Sequence, residues 1–580
     1  MAEITLIIDR KKVKGETGDT ILDVCEKNGI DVPTLCHFKG LTDVGACRMC
    51  IVEIGEKRVA INTACTTQAL DGMVVKTDTE RLNNLRKINI ELLLAERNHF
   101  CMFCEMSGDC ELQDLAYRFK IDYIRYPLLF PKLPLDASHK YIVIDHNRCI
   151  LCGRCIRACD ELEASHTLDF RERGWQKMIN IDLNSTLCES TCTSCGSCIQ
   201  VCPTGAIFDK KSPYLGRSEE CEFTKTVCSE CSVGCGTEIV TRANHILRIN
   251  GNFDSDVSRG LLCDKGRFEP LYKEKKRYLK PMVRVNGELK ESDWEEATKI
   301  MVEKIGGMDG KDIAGLVSAR ATNETIDLFK KLINNVFCSE NIGMLHGSIT
   351  TLKGKGSLNE ILESDLIIVV GADFSKDYKV VRSLIKRAVV KNGSSLILVN
   401  SNANNLSSYA KLLLKKEELE KINEEISKAN EVSIIFGYKI SEDIEKWISK
   451  YEGEVNLIGL MPGTNSLGAY KLGINRNFKP RKARGLYILA VDEDNDILEN
   501  IIEESKKSEF VVLQTSYENV LSKEADLIIP SMMWAERSGN YTNMEGKTQE
   551  VNKSITPPPE VKDDREIMVS IADKIGKFLS

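Results

Sequence analysis

The chain has 580 residues, a formal net charge of −7 at pH 7 and 28% charged residues. This length suffices for several domains, and the mildly acidic balance includes no basic stripe that would favour nucleic acid as a partner. No stretch approaches the roughly 20 apolar residues that a transmembrane helix needs, so no membrane span is predicted. The first residues, MAEITLIIDRKKVKGETGD, lack the apolar segment of a secretory signal, and we therefore expect a cytoplasmic protein.

Cysteine is the residue type that carries most information in this sequence. Of the 23 cysteines, 22 lie at or before residue 263 and only Cys338 follows. Disulfides would need an oxidising compartment, and structural zinc remains an alternative for any single CxxC pair. A [4Fe–4S] cluster takes ligands from a tight CxxC-type loop and from one residue elsewhere, and the run CxxCxxCxxxCP fits that pattern better than a zinc site.

Nineteen cysteines and one histidine form five ligand sets with iron–sulfur spacing. In chain order the sets are Cys36, Cys47, Cys50 and Cys65; His99, Cys101, Cys104 and Cys110; Cys149, Cys152, Cys155 and Cys159; Cys192, Cys195, Cys198 and Cys202; and Cys228, Cys231, Cys235 and Cys263. These sets predict one [2Fe–2S] and four [4Fe–4S] clusters. A chain with five clusters is expected to transfer electrons.

Residues 1–78 are predicted to form a ferredoxin domain. EITLIIDRKKV followed by GDTILDVCEKNGI indicates a strand pair that leads into a helix. The first ligand set then follows with the spacing C-x10-C-x2-C-x14-C, which resembles the plant-type [2Fe–2S] pattern with a longer first gap. LCHFKGLTDVGACRMCIVEI resembles the version in complex I-type subunits, which implies a β-grasp fold. Cys25 lies on the apolar face of the predicted helix and is expected to be a buried thiol.

Residues 79–139 contain a helical run, RLNNLRKINIELLLAE, followed by HFCMFCEMSGDC. A lone histidine is usually only a polar residue, but His99 directly precedes three closely spaced cysteines. The segment resembles the [4Fe–4S] region with one histidine and three cysteine ligands in complex I large subunits and NAD-linked hydrogenase relay subunits. One residue separates His99 from Cys101, where many relatives have three. An imidazole ligand makes a cluster less negative, which tends to raise its potential.

Residues 140–214 contain two similar runs, RCILCGRCIRAC and CTSCGSCIQVCPTGAIF. In such two-cluster ferredoxin domains the fourth cysteine of each run binds the other cluster. We therefore expect Cys202 to join Cys149, Cys152 and Cys155, and Cys159 to join the remaining three cysteines, Cys192, Cys195 and Cys198. Cys188 and Cys221 are expected to be bystanders.

Residues 215–272 carry the spacing C-x2-C-x3-C-x27-C, with HILRINGN as a predicted strand before the distant Cys263. This segment resembles the N-terminal [4Fe–4S] domain of the molybdopterin oxidoreductase family. In catalytic relatives the lysine two residues beyond the last ligand bridges cluster and pterin, and the matching residue is Lys265. The alternative is a surface lysine beside a negative cluster.

Residues 273–580 alternate apolar runs with helical segments. Six runs are predicted to be buried parallel strands of doubly wound α/β units, LIIVVG, SLILVN, VSIIFG, LYILAV, FVVLQT and DLIIP. ADLIIPSMMWAERSGNYTNMEGKTQ at 525–549 and SARATNETIDLFKKLINNVF at 318–337 resemble segments of the molybdopterin oxidoreductase family.

The loop that holds the metal ligand in formate dehydrogenase-like relatives has no ligand in this sequence. In NIGMLHGSITTL the His-Gly pair aligns as His346 and Gly347, and the metal-ligand position becomes Leu345, whose side chain cannot bind a metal. Asn400 and Ser401 stand where an acidic residue usually contacts the pterin nucleotide, and Cys338 is expected to be core. The resemblance thus implies a degenerate domain that binds no molybdopterin and serves as a scaffold.

The whole chain resembles the large iron–sulfur subunit of NADH:quinone oxidoreductase (complex I) in a shortened form. Similar subunits occur in soluble NAD-linked hydrogenases, NAD-dependent formate dehydrogenases and electron-bifurcating NAD(P)H complexes. No GxGxxG follows a strand and opens a helix, so no flavin or NAD site is predicted in this chain.

The resemblance implies a relay without catalytic residues of its own. It also implies an FMN/NADH-binding partner subunit, a small thioredoxin-like [2Fe–2S] subunit, and ferredoxin or an NADP-linked acceptor. Two alternatives remain open, a molybdenum or tungsten formate dehydrogenase-like catalytic subunit and a subunit of the complex I peripheral arm.

Overall fold

The computed structural model describes residues 2–346, 356–399, 406–474, 483–493 and 499–579. The chain divides into two compact units, residues 1–221 and 222–580. Across the described ranges, no helix combines the length and apolar character required to cross a membrane. The boundaries of the five domains predicted from the sequence stay predictions.

The first unit begins with a five-stranded sheet and one helix. Its elements are β1 (Glu3–Ile8), β2 (Lys11–Glu16), α1 (Ile21–Lys27), β3 (Ile51–Ile54), β4 (Ala60–Thr63) and β5 (Val74–Lys76). The strand order is β2-β1-β5-β3-β4, with β1 and β5 parallel. Thr20 and Asp23 form a capping box that starts α1. The predicted strand pair and helix are confirmed, and Cys25 is fully buried, which raises the pKa of its thiol to about 12.

The remainder of the first unit consists of short elements around cysteine-rich loops. They are α2 (Glu80–Glu96), α3 (Glu111–Arg118), β6 (Leu135–Asp136), β7 (Ile142–Asp145), α4 (Arg154–Arg157), β8 (Leu168–Arg171), β9 (Met178–Ile181), α5 (Ser197–Gln200) and β10 (Ile207–Asp209). The predicted helix after residue 79 is α2. Helices α4 and α5 each follow a glycine with a left-handed backbone, Gly153 (φ 72°) and Gly196 (φ 71°), so the two cysteine runs repeat in structure as well as in sequence.

The second unit opens with a three-stranded antiparallel sheet. Its elements are β11 (Glu222–Val227), β12 (Gly236–Arg242), β13 (His245–Gly251), α6 (Asp264–Arg267) and α7 (Glu269–Tyr272). The strand order is β11-β12-β13, and β13 is the strand predicted for HILRINGN. The loop from β11 to β12 holds three of the predicted ligands, and the fourth directly precedes α6.

The rest of the second unit is an α/β arrangement with two larger sheets. Its elements are β14 (Met282–Val285), β15 (Glu288–Glu291), α8 (Trp294–Lys304), β16 (Ile313–Val317), α9 (Asn323–Lys331), β17 (Ile342–Met344), β18 (Leu366–Val370), α10 (Lys379–Asn392), β19 (Ser395–Val399), β20 (Leu412–Leu414), α11 (Glu420–Ile426), β21 (Val432–Phe436), α12 (Glu442–Ser449), β22 (Asn456–Gly459), α13 (Ser466–Lys471), β23 (Gly485–Val491), α14 (Glu499–Lys507), β24 (Phe510–Thr515), β25 (Leu527–Pro530), β26 (Gly539–Thr542), β27 (Thr548–Val551) and α15 (Asp564–Ile575). One sheet has the order β15-β14-β25-β24-β23-β16-β17 and the other β20-β19-β18-β21-β22, while β26 and β27 form a hairpin.

The six predicted strands are confirmed as β18, β19, β21, β23, β24 and β25, and each pairs in parallel with at least one neighbouring strand of its sheet. Only β14 pairs antiparallel within these two sheets, as far as the described residues show, with β15 and β25. Continuous apolar runs are expected for parallel strands covered on both faces. The sequence interpretation did not include β16, β17, β20 and β22.

The prediction that Cys338 is a core residue is wrong, because its side chain is exposed. A π-helical turn, Leu332–Val336, ends the preceding helix, and Cys338 itself has a left-handed backbone with φ of 57°. The helical periodicity that would place this side chain inside therefore stops before it. Its Sγ lies 3.1 Å from Lys577 Nζ.

Candidate iron–sulfur cluster sites

The first predicted set lies in the loop after α1 and in the turn after β4. Hydrogen bonds link the thiols of Cys36 with those of Cys47 and Cys65, and that of Cys50 with Cys65. The Cys47 amide also donates to Cys36 Sγ over 3.5 Å. These hydrogen bonds lower the pKa of the Cys36 thiol and raise the pKa values of the Cys47 and Cys65 thiols. All four side chains are thus brought together.

The second predicted set lines a cavity of about 460 Å³. Its wall includes His99, Cys101, Cys104 and Cys110. His99 Nε2 is buried and has no hydrogen-bond partner, so a nitrogen capable of binding metal is left free. Burial, and then the nearby cation of Arg148, lower the pKa of His99 to about 4, which keeps the imidazole neutral at pH 7. These side chains fit a cluster with one imidazole ligand.

The third set is brought together in the crossed combination that the sequence predicts. Cys149, Cys152, Cys155 and Cys202 line one small cavity of about 20 Å³. Burial raises the pKa of the Cys149 thiol to about 11 and that of Cys152 to about 12, and the charge of Cys202 contributes to both shifts. Cys202 therefore belongs spatially with the earlier cysteine run.

The fourth set has the complementary arrangement. Burial raises the pKa of the Cys192 thiol to about 11, and Cys159 contributes to this shift through its charge. Burial also raises the pKa of Cys198, with contributions from Cys195, Cys192 and Cys159. Of the two expected bystanders, Cys188 is exposed and Cys221 is partly buried.

The fifth set lies within the second unit. The Cys228 amide donates to the Cys235 carbonyl over 2.9 Å and closes the loop between β11 and β12. Burial raises the pKa of Cys228, and the neighbouring Cys231 and Cys263 add to the shift. A Cβ at Gly266 would lie 2.9 Å from Cys228 Sγ, so the absence of a side chain there lets α6 approach the set.

In the described part of the chain, no group of three or more His, Cys, Asp or Glu side chains converges closely enough to hold a single metal ion. The ligands of an iron–sulfur cluster are distributed over its two or four irons and therefore stand further apart. The members of each set are grouped because they line the same cavity or because their charges shift one another's pKa values.

Lys265 is paired with acidic side chains of its own chain. Its Nζ lies 2.5 Å from Asp377 Oδ1 and 3.9 Å from Glu230 Oε2. Burial alone would lower the pKa of Lys265, but the two carboxylates raise it above the usual value. The lysine is thus a charged partner of two acidic residues of its own chain.

A buried network of charges extends from this ion pair, and the sequence motifs did not predict it. Arg320 lies 3.0 Å from Glu230, 3.4 Å from Asp492 and 3.4 Å from Glu493. His346 Nε2 lies 3.1 Å from Glu493 Oε1. Asp492 and Glu493 directly follow β23, at the carboxyl end of a parallel strand, where ligand sites of α/β sheets usually lie. That position is the sequence signal that could have revealed the network.

Leu345 lies in the apolar core. Its side chain is 1% exposed and packs in a cluster that includes Leu316, Leu486 and Ile488, and its amide donates to the Val317 carbonyl over 2.8 Å. The other loop residues singled out above, Gly347, Asn400 and Ser401, lie outside the described residues.

The family of molybdopterin oxidoreductases matches residues 277–574, which is about half of the chain. The chain belongs to the molybdopterin oxidoreductase family. Four further families match the cysteine-rich part, namely a 2Fe-2S iron-sulfur cluster binding domain at 1–80, the NADH-ubiquinone oxidoreductase-G iron-sulfur binding region at 86–125, a 4Fe-4S dicluster domain at 148–206 and the molybdopterin oxidoreductase Fe4S4 domain at 221–272.

Individual relatives extend this similarity. A G-type subunit of the NADH-quinone oxidoreductase of Rhizobium meliloti is 30% identical over 426 residues, which cover 71% of this chain and 49% of that protein. The corresponding G-type subunit of Rickettsia bellii is 27% identical over 604 residues, which cover 98% of this chain and 86% of that protein. A solved chain of an NAD+-reducing [NiFe]-hydrogenase in the H2-reduced state is 32% identical and covers 37% of this chain and 91% of its own, with a TM-score of 0.36. The chain spans about half the length of the Rhizobium meliloti relative.

The sequence comparisons confirm the predicted resemblance to the large iron–sulfur subunit of NADH:quinone oxidoreductase. They also confirm that the chain has domains for [2Fe–2S] and [4Fe–4S] clusters. The chain is an iron–sulfur electron-relay component of an oxidoreductase. The roles of the individual ligand residues stay predictions.

Proposed function

We propose that this chain relays electrons through one [2Fe–2S] and four [4Fe–4S] clusters, bound by the five ligand sets, as a subunit of a cytoplasmic NAD(P)H-linked oxidoreductase. When bound, each cluster accepts and releases single electrons. The chain itself has to bring the sets close together, exclude water between them and leave their ligands free to bind. Cysteines kept as free thiols are typical of a reducing compartment.

One observation carries this proposal. Predicted ligands of three different sets lie in the same apolar cluster of the first unit: Cys36 and Cys47 of the first, Cys110 of the second and Cys152 of the third. The remaining members of that cluster are Leu35, Met49, Ile90, Leu93, Leu94, Leu112, Leu115, Ala116, Phe119, Ile121 and Ile150. Residues of such a cluster are linked through a continuous chain of apolar contacts, so a water-poor layer connects these three sets. This arrangement is suited to electron transfer between them.

The fourth set adjoins the third. The charge of Cys198 contributes to the raised pKa of Cys155, and that of Cys202 contributes to the raised pKa of Cys198. The crossed loops that carry Cys159 and Cys202 therefore place the two sets side by side. The four sets of the first unit form a continuous series in which the third set adjoins the other three.

We also propose that the second unit is a degenerate domain that binds no molybdopterin. A pterin cofactor with its phosphate is anionic, and it needs cations that are not already neutralised. Lys265 is paired with Asp377, and Arg320 is surrounded by three carboxylates. With Leu345 buried in the core, these three residues do not fit the cofactor, which supports a scaffold role for this unit.

The partners proposed for the chain follow from the relatives. Their names describe subunits of NADH-oxidising complexes, which supports a partner flavoprotein that binds FMN and NADH and a small thioredoxin-like [2Fe–2S] subunit. Ferredoxin or an NADP-linked subunit is the proposed acceptor. Electron bifurcation is a further proposal, and it would depend on a flavin in another chain. Co-purification with a second flavoprotein would support it.

Metal analysis of the complex, purified without oxygen, tests this function. The expected result is about 18 irons per copy of this chain, after subtraction of the irons of identified partners, and no molybdenum or tungsten. A Cys110→Ala variant serves as a control, because loss of one ligand of the second set should diminish only that cluster's electron paramagnetic resonance (EPR) signal. An iron content near four with zinc in place of the rest would overturn the relay. Molybdenum or tungsten near one per chain would overturn the proposal of a degenerate domain.

A further inference from the structure

Arg157 is a buried cation between two predicted cluster sites. It is the last residue of α4, between Cys155 and Cys159 in sequence, and it is 8% exposed. Its Nε donates to the Gly153 carbonyl over 3.3 Å, and one terminal nitrogen donates to the Thr42 carbonyl. The guanidinium therefore joins its own cysteine loop to the loop of the first ferredoxin region.

The second terminal nitrogen of Arg157 bridges the backbones of two predicted ligands from different sets. It donates to the Cys36 carbonyl over 2.5 Å and to the Cys152 carbonyl over 3.3 Å. Cys36 belongs to the [2Fe–2S] set and Cys152 to the adjacent [4Fe–4S] set. A planar guanidinium can hold two such acceptors at fixed positions, which an ammonium group does less well.

The positive charge of Arg157 has no carboxylate partner among the described residues. The contrast is Arg154 on the same helix, whose guanidinium binds Glu111 through two bonds of 2.5 and 2.8 Å. A buried cation without a counter-charge is costly unless other negative charge lies nearby. The thiolates of two clusters would supply that charge on both sides of Arg157.

The internal repeat provides a natural comparison. In the second run, CTSCGSCIQVCP, the residue at the position of Arg157 is Gln200, and the one at the position of Arg154 is Ser197. The second run thus has a neutral amide where the first has an unpaired cation. The cation is present only in the run that faces the first ferredoxin region.

We propose that Arg157 is a positioning residue shared by the [2Fe–2S] cluster and the adjacent [4Fe–4S] cluster. It ties the Cys36 and Cys152 backbones together, and its charge raises the reduction potential of both clusters. The physical reason is that a nearby positive charge favours the more negative, reduced form of each cluster. This inference rests on the cluster assignment of the proposed function.

The test is an EPR-monitored redox titration of the complete complex with Arg157→Gln, which gives the first run the residue of the second. The midpoint potentials of the [2Fe–2S] cluster and of one [4Fe–4S] cluster should both become more negative, while the other three clusters keep theirs. The matched control is Gln200→Ala, which should leave the [2Fe–2S] potential unchanged. The iron content and the number of EPR signals are measured first, since they report on the proposed function independently of Arg157.

A second variant, Arg157→Lys, keeps the inference testable if the Arg157→Gln complex does not assemble. Arg157→Lys retains the positive charge but loses the planar guanidinium that donates to several carbonyls. At least one of the same two midpoint potentials should therefore shift, but by less than in Arg157→Gln, which removes the charge. Wild-type potentials of both clusters in either assembled variant would overturn the inference. Equal shifts of all clusters would also overturn it, because they would show a general structural change.

Discussion

Replacement of Leu345 by alanine separates a structural role of this residue from a catalytic one. The sequence resemblance places Leu345 at the position of the metal ligand in catalytic relatives, and its side chain is 1% exposed and packs in an apolar cluster. Because almost the whole side chain is removed from the core, the variant should lose about 2–5 kcal/mol of stability. Electron flow from the flavoprotein partner through the clusters should remain close to wild type.

The stability loss is measured as a lower midpoint of thermal unfolding under anaerobic conditions, and the electron flow as the rate at which NADH reduces the clusters of the assembled complex. Leu413→Ala is the matched control, because Leu413 is 62% exposed and its truncation should change stability by less than about 0.5 kcal/mol. Loss of turnover in Leu345→Ala, with every cluster intact and the fold stable, would refute the account of the second unit as a scaffold.

Three further predictions concern charge. His99→Cys should keep a cluster in the second set but lower its potential, because a thiolate adds negative charge; a redox titration in which no cluster changes would contradict a ligand role for His99. Asp492→Asn should lower the free energy of unfolding by about 3–5 kcal/mol, since it leaves the buried Arg537 guanidinium without its partner. Asp254→Asn, in an exposed ion pair, should lower the free energy of unfolding by at most about 1 kcal/mol. Thermal unfolding of the two variants side by side measures this difference, and equal midpoints would contradict it. Burial raises the pKa of Asp564 to about 6 from its ordinary 3.8, so the folded state holds this proton more tightly than the unfolded state. Stability should therefore fall as pH rises from about 4 to 6 and then level off, and Asp564→Asn should remove this part of the pH dependence when unfolding is followed across that range.

The sequence predicted those features that depend on short stretches of chain. Continuous apolar runs such as residues 366–370 and 432–436 identified buried parallel strands, because both faces of such strands are covered. Strand β16 was not predicted, and Gly315 interrupts its apolar run of five residues. The crossed ligation of the two ferredoxin runs was expected from the general pattern of two-cluster ferredoxin domains, and it stays a prediction. Short-range patterns were therefore sufficient for the parallel strands named in the sequence analysis.

Contacts of charged side chains with distant parts of the chain were not predicted. The pair of Arg320 with Glu230 spans 90 residues, and the contact of Arg157 with the Cys36 carbonyl spans 121. Neither residue lies in a pattern that indicates its partner, since the partner depends on how strands and loops pack. Cys338 was assigned to the core from helical periodicity, which ends two residues before it. The arrangement of charges around the sites therefore had to come from the structure.

The most direct test of the relay is a reductive titration of the anaerobically purified chain, in which the electrons taken up per polypeptide are counted while EPR identifies each cluster. The account predicts uptake of about five electrons, one for each predicted ligand set, with one signal of the [2Fe–2S] type and four of the [4Fe–4S] type. Uptake of one electron or none by a chain with its full complement of cysteines would contradict it.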